Sequence, residues 1–257
     1  MLGLNDGMVA IMNNQNWIFL RGLTRGNIHW GSFEEIFKKI NPDAQIEFME
    51  IPGNGFLSDE KSPTNVKILI NILREKNKFS QQNMPFNICG ISLGGMVALK
   101  WAELYPHEIN SVSLINSSLR QYSSFYERLL PNNYAKMLWA LFYSSSSEQE
   151  KLILKITSNN FEVNKKHLEA FSAFSKLHKV SKKNFARQLL LASSIQIKNL
   201  PDLPIKIISA KFDRLVSSKC SAKIVKGLGG KSYIHPTAGH DLPLDEPEWL
   251  IEKLLIS

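Results

Sequence analysis

Short apolar runs recur along the chain, at Val9–Met12, Trp17–Leu20, Gln45–Met49, Phe86–Ile91, Val112–Ile115, Ile205–Ser209 and Lys231–Ile234. They are mostly uninterrupted and rich in Ile, Val and Phe, the pattern of strands covered on both faces. Between them the apolar spacing switches to a helical period. Gly94–Tyr105 sets Val97, Trp101 and Leu104 on one face, and the stretch after Pro63 does the same with Val66, Leu69, Ile70 and Leu73. At the C-terminus Asp245 is read as an N-cap, with Glu246 and Glu248 in the first turn and Trp249, Leu250 and Leu254 as the stripe. Strands alternating with helices predict a mostly parallel sheet of six to seven strands, flanked by helices on both sides.

The alternation stops between residues 119 and 199. Five amphipathic helices are expected there, over Tyr122–Leu130, Tyr134–Phe142, Gln149–Thr157, His167–Leu177 and Asn184–Ile195, and no strand. Serines 144–147 read as a hinge, and Ser147 with Glu150 fits a capping box opening the next helix. The chain therefore divides into sheet-forming parts, 1–118 and 200–257, around an all-helical insertion, 119–199.

Composition narrows the class. In 257 residues, 44% hydrophobic and 21% charged, there is material for a large core, which excludes intrinsic disorder. Two cysteines, Cys89 and Cys220, make neither a disulfide framework nor a zinc cage, and Cys89 reads as a small core residue. No apolar run approaches the roughly 18 residues of a membrane span. The first positive charge is Arg21, and Asn5, Asp6, Asn13 and Asn14 break up the early apolar residues, so no secretory signal is expected and the location is cytoplasmic.

The net charge of +8 is not spread evenly. Residues 119–199 hold 13 Lys/Arg against 5 Asp/Glu, while the remainder balances 18 against 18. Such a face attracts an acidic partner by long-range steering. No RNP, helix-turn-helix or zinc-finger pattern accompanies it, so nucleic acid is not the expected partner.

The chemistry gathers at strand ends. Phe86–Ile91 runs into Gly90-Ile91-Ser92-Leu93-Gly94 and then a helix. A serine on a sharp strand-to-helix turn needs small residues two positions to either side, and the turn lifts its hydroxyl above the sheet at a helix N-terminus. Such a serine needs a base, and the base an orienting acid, following in the order Ser, acid, His. Asp213, in Lys211-Phe212-Asp213-Arg214, and His240, in Ala238-Gly239-His240-Asp241, each follow a strand. Asn116–Tyr126 offers no acid, and Asp241 adjoins the base too closely in sequence to orient it. The oxyanion donors are then the amides of Leu93, next to the nucleophile, and Leu23, in the glycine loop Arg21–Gly26. Pro52-Gly53-Asn54-Gly55 reads as a structural turn near the same rim. There is no H-E-x-x-H, C-x-x-C or G-x-G-x-x-G, so neither a metal nor a cofactor is implied.

With the elbow Gly90–Gly95, the acid turn Lys211–Arg214 and the base loop Ala238–Pro247, the chain resembles the α/β-hydrolase superfamily over essentially its whole length. It is similar to small capped serine carboxylesterases of the pimeloyl-acyl-carrier-protein methyl ester esterase type. The resemblance implies the α/β-hydrolase fold, with 119–199 as its helical cap and Ser92, Asp213 and His240 as its triad. It departs from the usual pattern at the oxyanion loop, where Arg21-Gly22 stands in place of His-Gly, and at the front end, where the usual opening hairpin is expected to be reduced to one strand or lost.

The expected activity is serine hydrolysis of a small-molecule acyl ester or thioester. Phe125, Leu129, Trp139 and Phe142 of the cap are expected to line the acyl site. The localised charge suggests an acidic carrier protein bringing the acyl group. The alternatives are cleavage of a carbon–carbon or amide bond by the same residues, or a catalytically silent ligand-binding member of the fold.

Overall fold

Apolar strands without alternation need cover on both faces, and the computed structural model, which describes residues 15–143, 145–200 and 202–256, supplies it. The strand expected at Val9–Met12 lies outside the described residues. β1 (Asn16–Leu20), β2 (Gln45–Met49), β3 (Phe86–Ile91), β4 (Ile109–Ile115), β5 (Ile205–Ala210) and β6 (Lys231–His235) form one sheet in the order β2-β1-β3-β4-β5-β6. Every neighbouring pair is parallel.

Successive residues of each strand serve opposite layers. Ile18, Leu20, Ile88, Leu114 and Ile207 pack against one set of helices: α2 (Val66–Lys76) and α3 (Leu93–Leu104), together with Ile224 of a helix between β5 and β6. Trp17, Phe19, Cys89, Ile115 and Ile208 face α1 (Phe33–Ile40) and the C-terminal helix. Phe19 anchors that second layer, with the rings of Phe33 and Phe37 each 5.3 Å away, edge-on.

Between β4 and β5 the chain forms α4 (Tyr134–Tyr143), α5 (Ser146–Thr157), α6 (Leu168–Leu177) and α7 (Lys182–Ser194), with single helical turns between them and no strand among the described residues. The expected first helix of this segment shrinks to one turn, Phe125–Arg128. The capping box of α5 is Ser145 with Glu148, not Ser147 with Glu150, because Glu150 is buried against the sheet domain instead. After α8 (Lys219–Leu228) and β6, the last helix α9 (Pro247–Leu255) begins at proline with Glu246 as its N-cap. Asp245 is no cap of α9: it is buried and holds Ser158, Asn159, Asn164 and Gly239 by hydrogen bonds. No helix among the described residues is long and apolar enough to cross a membrane.

Candidate active site

Strand order decides where the site lies. β1 pairs with β2 on one side and β3 on the other, so the winding reverses between β1 and β3, and crevices beyond the carboxyl ends of strands at such a reversal hold ligands. Leu20 is in register with Gly90, which sets residues 21–25 beside residues 91–93. The approach is close: a Cβ on Gly22 would lie 3.2 Å from Ser92 Cβ, and one on Gly94 would lie 2.3 Å from the Leu20 carbonyl oxygen.

Ser92 stands in the turn between β3 and α3 at φ 55°, ψ −115°. This is left-handed backbone that costs a residue with a Cβ about 1–2 kcal/mol. Surrounding contacts hold it there. Its N–H donates to the Ile115 carbonyl and its own carbonyl accepts from Ser117 Oγ, both at 2.8 Å. Gly90 makes the turn possible, since a Cβ there would meet the Gly94 carbonyl carbon at 2.2 Å. Leu93 opens α3, so its amide has no intrahelical acceptor. In the facing loop, Thr24 N–H donates to Gln188 and Arg25 N–H to the Gly22 carbonyl, while among the described residues no turn hydrogen bond engages the Leu23 amide.

β5 and β6 deliver the next pair. Ala210 is in register with His235, so the loops that follow meet. Asp213 Oδ1 accepts from the amides of Leu215 and Val216, at 2.8 and 2.9 Å, which aims Oδ2 at the His240 ring. His240 Nδ1 donates to that oxygen at 2.6 Å, and both side chains are buried. This fixes the ring and leaves Nε2 for other partners. Asn116, at the end of β4, was not singled out from sequence, yet its Nδ2 donates to the His240 carbonyl at 2.8 Å and its Oδ1 accepts from Ala210 N–H.

Ser92 and His240 line one cavity of about 150 Å³, without a hydrogen bond between them. Leu23 lines it too; Leu93 is buried behind it. The apolar part of its helical-segment wall includes Met137, Ala140, Ile153, Phe174 and Phe185. Phe125, Leu129 and Trp139 are not among the lining residues. Helical phase is the reason in α4. Met137 and Ala140, three apart, turn inward, so Leu138 and Trp139 between them are 56% and 44% exposed. Phe125, in its isolated turn, is 63% exposed. The side chain of Phe142 lies outside the described residues.

Arg21, Arg25, Glu150, Lys179 and Asp241 add charge to the wall, which no local sequence pattern announces. Arg21 Nη1 and Nη2 reach the two carboxylate oxygens of Asp241 at 2.9 and 2.6 Å, and its guanidinium lies over the Trp30 ring. Burial alone would raise the Asp241 carboxyl, but Arg21 outweighs it and holds the group below its ordinary range. Arg25 Nη1 donates to Glu150 Oε2 at 2.8 Å, while Ser175 Oγ donates to Glu150 Oε1 at 2.6 Å. Burial raises Glu150 as well, and Arg25, aided by His29 and Ser175, pulls it well below the usual carboxylate range. Burial, then the Arg25 charge, lowers His29 to about 4 despite Glu150. The turn at residues 52–55 also reaches the site: Gln188 of α7 bridges Thr24 N–H and Asn54 Oδ1, bracing the loop after β1. Among the described residues no cluster of three metal-ligating side chains occurs.

The profile of the serine aminopeptidase S33 family matches residues 60–247. The pyrrolizixenacetamide deacetylase of Xenorhabdus hominickii is 23% identical over 235 residues, covering 87% of this chain and 82% of that protein. The enol-lactonase of Burkholderia xenovorans LB400 superposes with a TM-score of 0.74 at 14% identity, covering 95% of this chain and 90% of that one. The meta-cleavage product hydrolase of Pseudomonas fluorescens IP01 gives 0.74 at 14% identity, over 94% and 89%.

Proposed function

The chain belongs to the serine aminopeptidase S33 family and is an α/β-hydrolase, and from that premise we propose that it cleaves a carboxylic ester or thioester through an acyl-enzyme on Ser92. The observation that carries this reading is the buried His240–Asp213 pair at 2.6 Å, its imidazole on the wall of the cavity that holds a serine at positive φ.

Asp213 orients the imidazole. His240 takes the Ser92 proton as Oγ attacks the substrate carbonyl, then returns it to the leaving alcohol. The amides of Leu93 and Leu23 receive the oxyanion of the tetrahedral intermediate. A water activated by His240 hydrolyses the acyl-enzyme and releases the acid. Residues 119–199 act as the cap over this chemistry, between core parts 1–118 and 200–257, and Met137, Ile153 and Phe174 supply its apolar contacts to the small-molecule substrate. A cavity of about 150 Å³ admits a group the size of benzene, so acyl chains of about six carbons or fewer fit best.

The test is hydrolysis of p-nitrophenyl esters with acyl chains of two to twelve carbons, with Ser92→Ala alongside. Turnover with a short-chain optimum, reduced at least about a thousandfold in the variant, is expected. Absence of turnover and of fluorophosphonate labelling on folded protein would leave a catalytically silent, ligand-binding member of the fold. The similarity to a deacetylase that bears an acetamide in its name favours amide hydrolysis as a second reading. p-Nitroacetanilide cleaved faster than p-nitrophenyl acetate would decide for it.

A further inference from the structure

Asp213 and His240 follow different strands, so their 2.6 Å contact depends on two loops keeping their alignment with each other. Both loops meet the turn that follows α5. Asn159 Nδ2 donates to the Phe212 carbonyl at 3.2 Å, one residue before Asp213. The same nitrogen donates to the Thr237 carbonyl at 2.9 Å, three residues before His240. A primary amide carries two N–H donors, and here each serves one loop. Neighbouring contacts repeat the pattern. Asp241 N–H donates to the Thr157 carbonyl at 2.8 Å, and Arg214 Nη2 donates to the Ser158 carbonyl at 2.5 Å. The approach is tight: a Cβ on Gly239 would lie 2.5 Å from the Thr157 carbonyl oxygen.

Asp245 holds this turn from behind. Its Oδ2 accepts from Asn159 N–H at 2.9 Å and from Gly239 N–H at 2.7 Å, while Ser158 Oγ and Asn164 Nδ2 donate to Oδ1. One carboxylate oxygen thus joins the turn to the residue before His240. Among the described residues that line the cavity, neither Asn159 nor Asp245 occurs, so any effect on chemistry there passes through Asp213 and His240. We propose that Asn159 is a positioning residue, backed by Asp245, whose amide locks the acid and base loops together and so sets the alignment of His240. The consequence for turnover rests on the reading of His240 as the base; the lock between the loops does not. The two carbonyls it meets are within reach of water, so removing the amide costs alignment more than stability.

The test measures kcat and KM for p-nitrophenyl butyrate in Asn159→Ala and in Asn159→Asp, which keeps the shape but offers no donor. Both are expected to lose about tenfold or more in kcat with KM changed by less than about twofold, since misalignment of a catalytic group leaves ground-state binding intact. The 15N shifts of the neutral His240 ring supply a second readout. The unaltered protein is expected to keep the proton on Nδ1, and Asn159→Ala to move the shifts towards those of a free tautomer mixture. Full kcat in Asn159→Ala, recovery in Asn159→Asp, or a loss confined to KM overturns the proposal. Ring shifts unmoved by Asn159→Ala overturn it whatever the hydrolysis result. Should the unaltered protein hydrolyse no ester while the shifts move as expected, the reading of Ser92 and His240 as nucleophile and base would fall and the lock would stand.

Discussion

Asp241 adjoins the proposed base in sequence and serves a different partner. Its two oxygens hold Arg21, the residue before Gly22, so one ion pair ties the loop beside Ser92 to the loop carrying His240. Both side chains are buried, and removing one leaves an uncompensated charge. Arg21→Met is expected to lose about 3–5 kcal/mol in urea unfolding, and Arg21→Met with Asp241→Leu to recover most of it. An unchanged midpoint in the single variant would contradict the pairing. His29 makes a second test at this scale. In the unfolded chain it titrates near 6.5, and in the fold near 4. As pH falls through that interval only the unfolded state gains the proton, so stability is full above about 6.5 and declines by roughly 3 kcal/mol towards 4. Glu150 and Asp241, held low in the fold, add their losses below the ordinary carboxylate range, and Glu47, raised by burial, acts with the opposite sign, so the decline above that range comes from the histidines. His167, also lowered by burial, contributes in the same direction. His29→Gln should flatten the stability profile there, and an unaltered slope would show that His29 is not its source.

Elements set these residues in place, and the glycines of the elbow are where an element has least freedom. Cβ atoms at Gly90 and Gly94 would strike backbone at 2.2 and 2.3 Å, contacts that no side-chain adjustment relieves. Gly229, which closes α8 at φ 76°, has nothing within 4 Å of an added Cβ. Gly229→Ala is therefore expected to cost only the left-handed strain, about 1–2 kcal/mol. Gly90→Ala should cost several times that or prevent folding, and thermal melts of the two compare them directly; similar melting temperatures would refute the contact argument. The same elements show what is legible in a sequence. β2 and β3 are bounded as the apolar runs predict: β3 is buried along its whole length, and in the edge strand β2 the alternation of Ile46 and Phe48 with Gln45 and Glu47 marks the same span. α1 and α8 were not anticipated: α1 is only eight residues, and lysines and serine interrupt the apolar stripe of α8. That Ser92, Asp213 and His240 sit in loops at strand ends is legible because each loop follows its strand. Arg25–Glu150 is not, since it joins residues 125 apart and each charge alone reads as solvated. Trp139 was misplaced because composition names the apolar residues of α4 without fixing which face turns inward.

Over the whole molecule, charge divides as the chain does. The parts that build the sheet are neutral, and the whole +8 sits on the helical segment whose inner side lines the cavity. A buried anion does not explain that excess, because among the described residues Lys179 is the one Lys or Arg of this segment that lines the cavity. Much of it lies outside instead: Lys165, Lys166, Lys182 and Lys183 are all exposed. Exposed charges of one sign act at a distance, and salt shortens that reach to about 8 Å at physiological ionic strength. An acyl group delivered on an acidic carrier protein would gain from this field on approach, whereas a free ester would gain nothing. Neutralising the four lysines is therefore expected to raise KM for a carrier-linked acyl substrate about tenfold at low salt while leaving KM for the matching p-nitrophenyl ester within twofold. Raising salt from about 0.05 to 0.5 M should reproduce the same split in the unaltered protein. Equal changes for both substrates would mean that the lysines act on the fold or the cavity, and the carrier would have no support left in the charge.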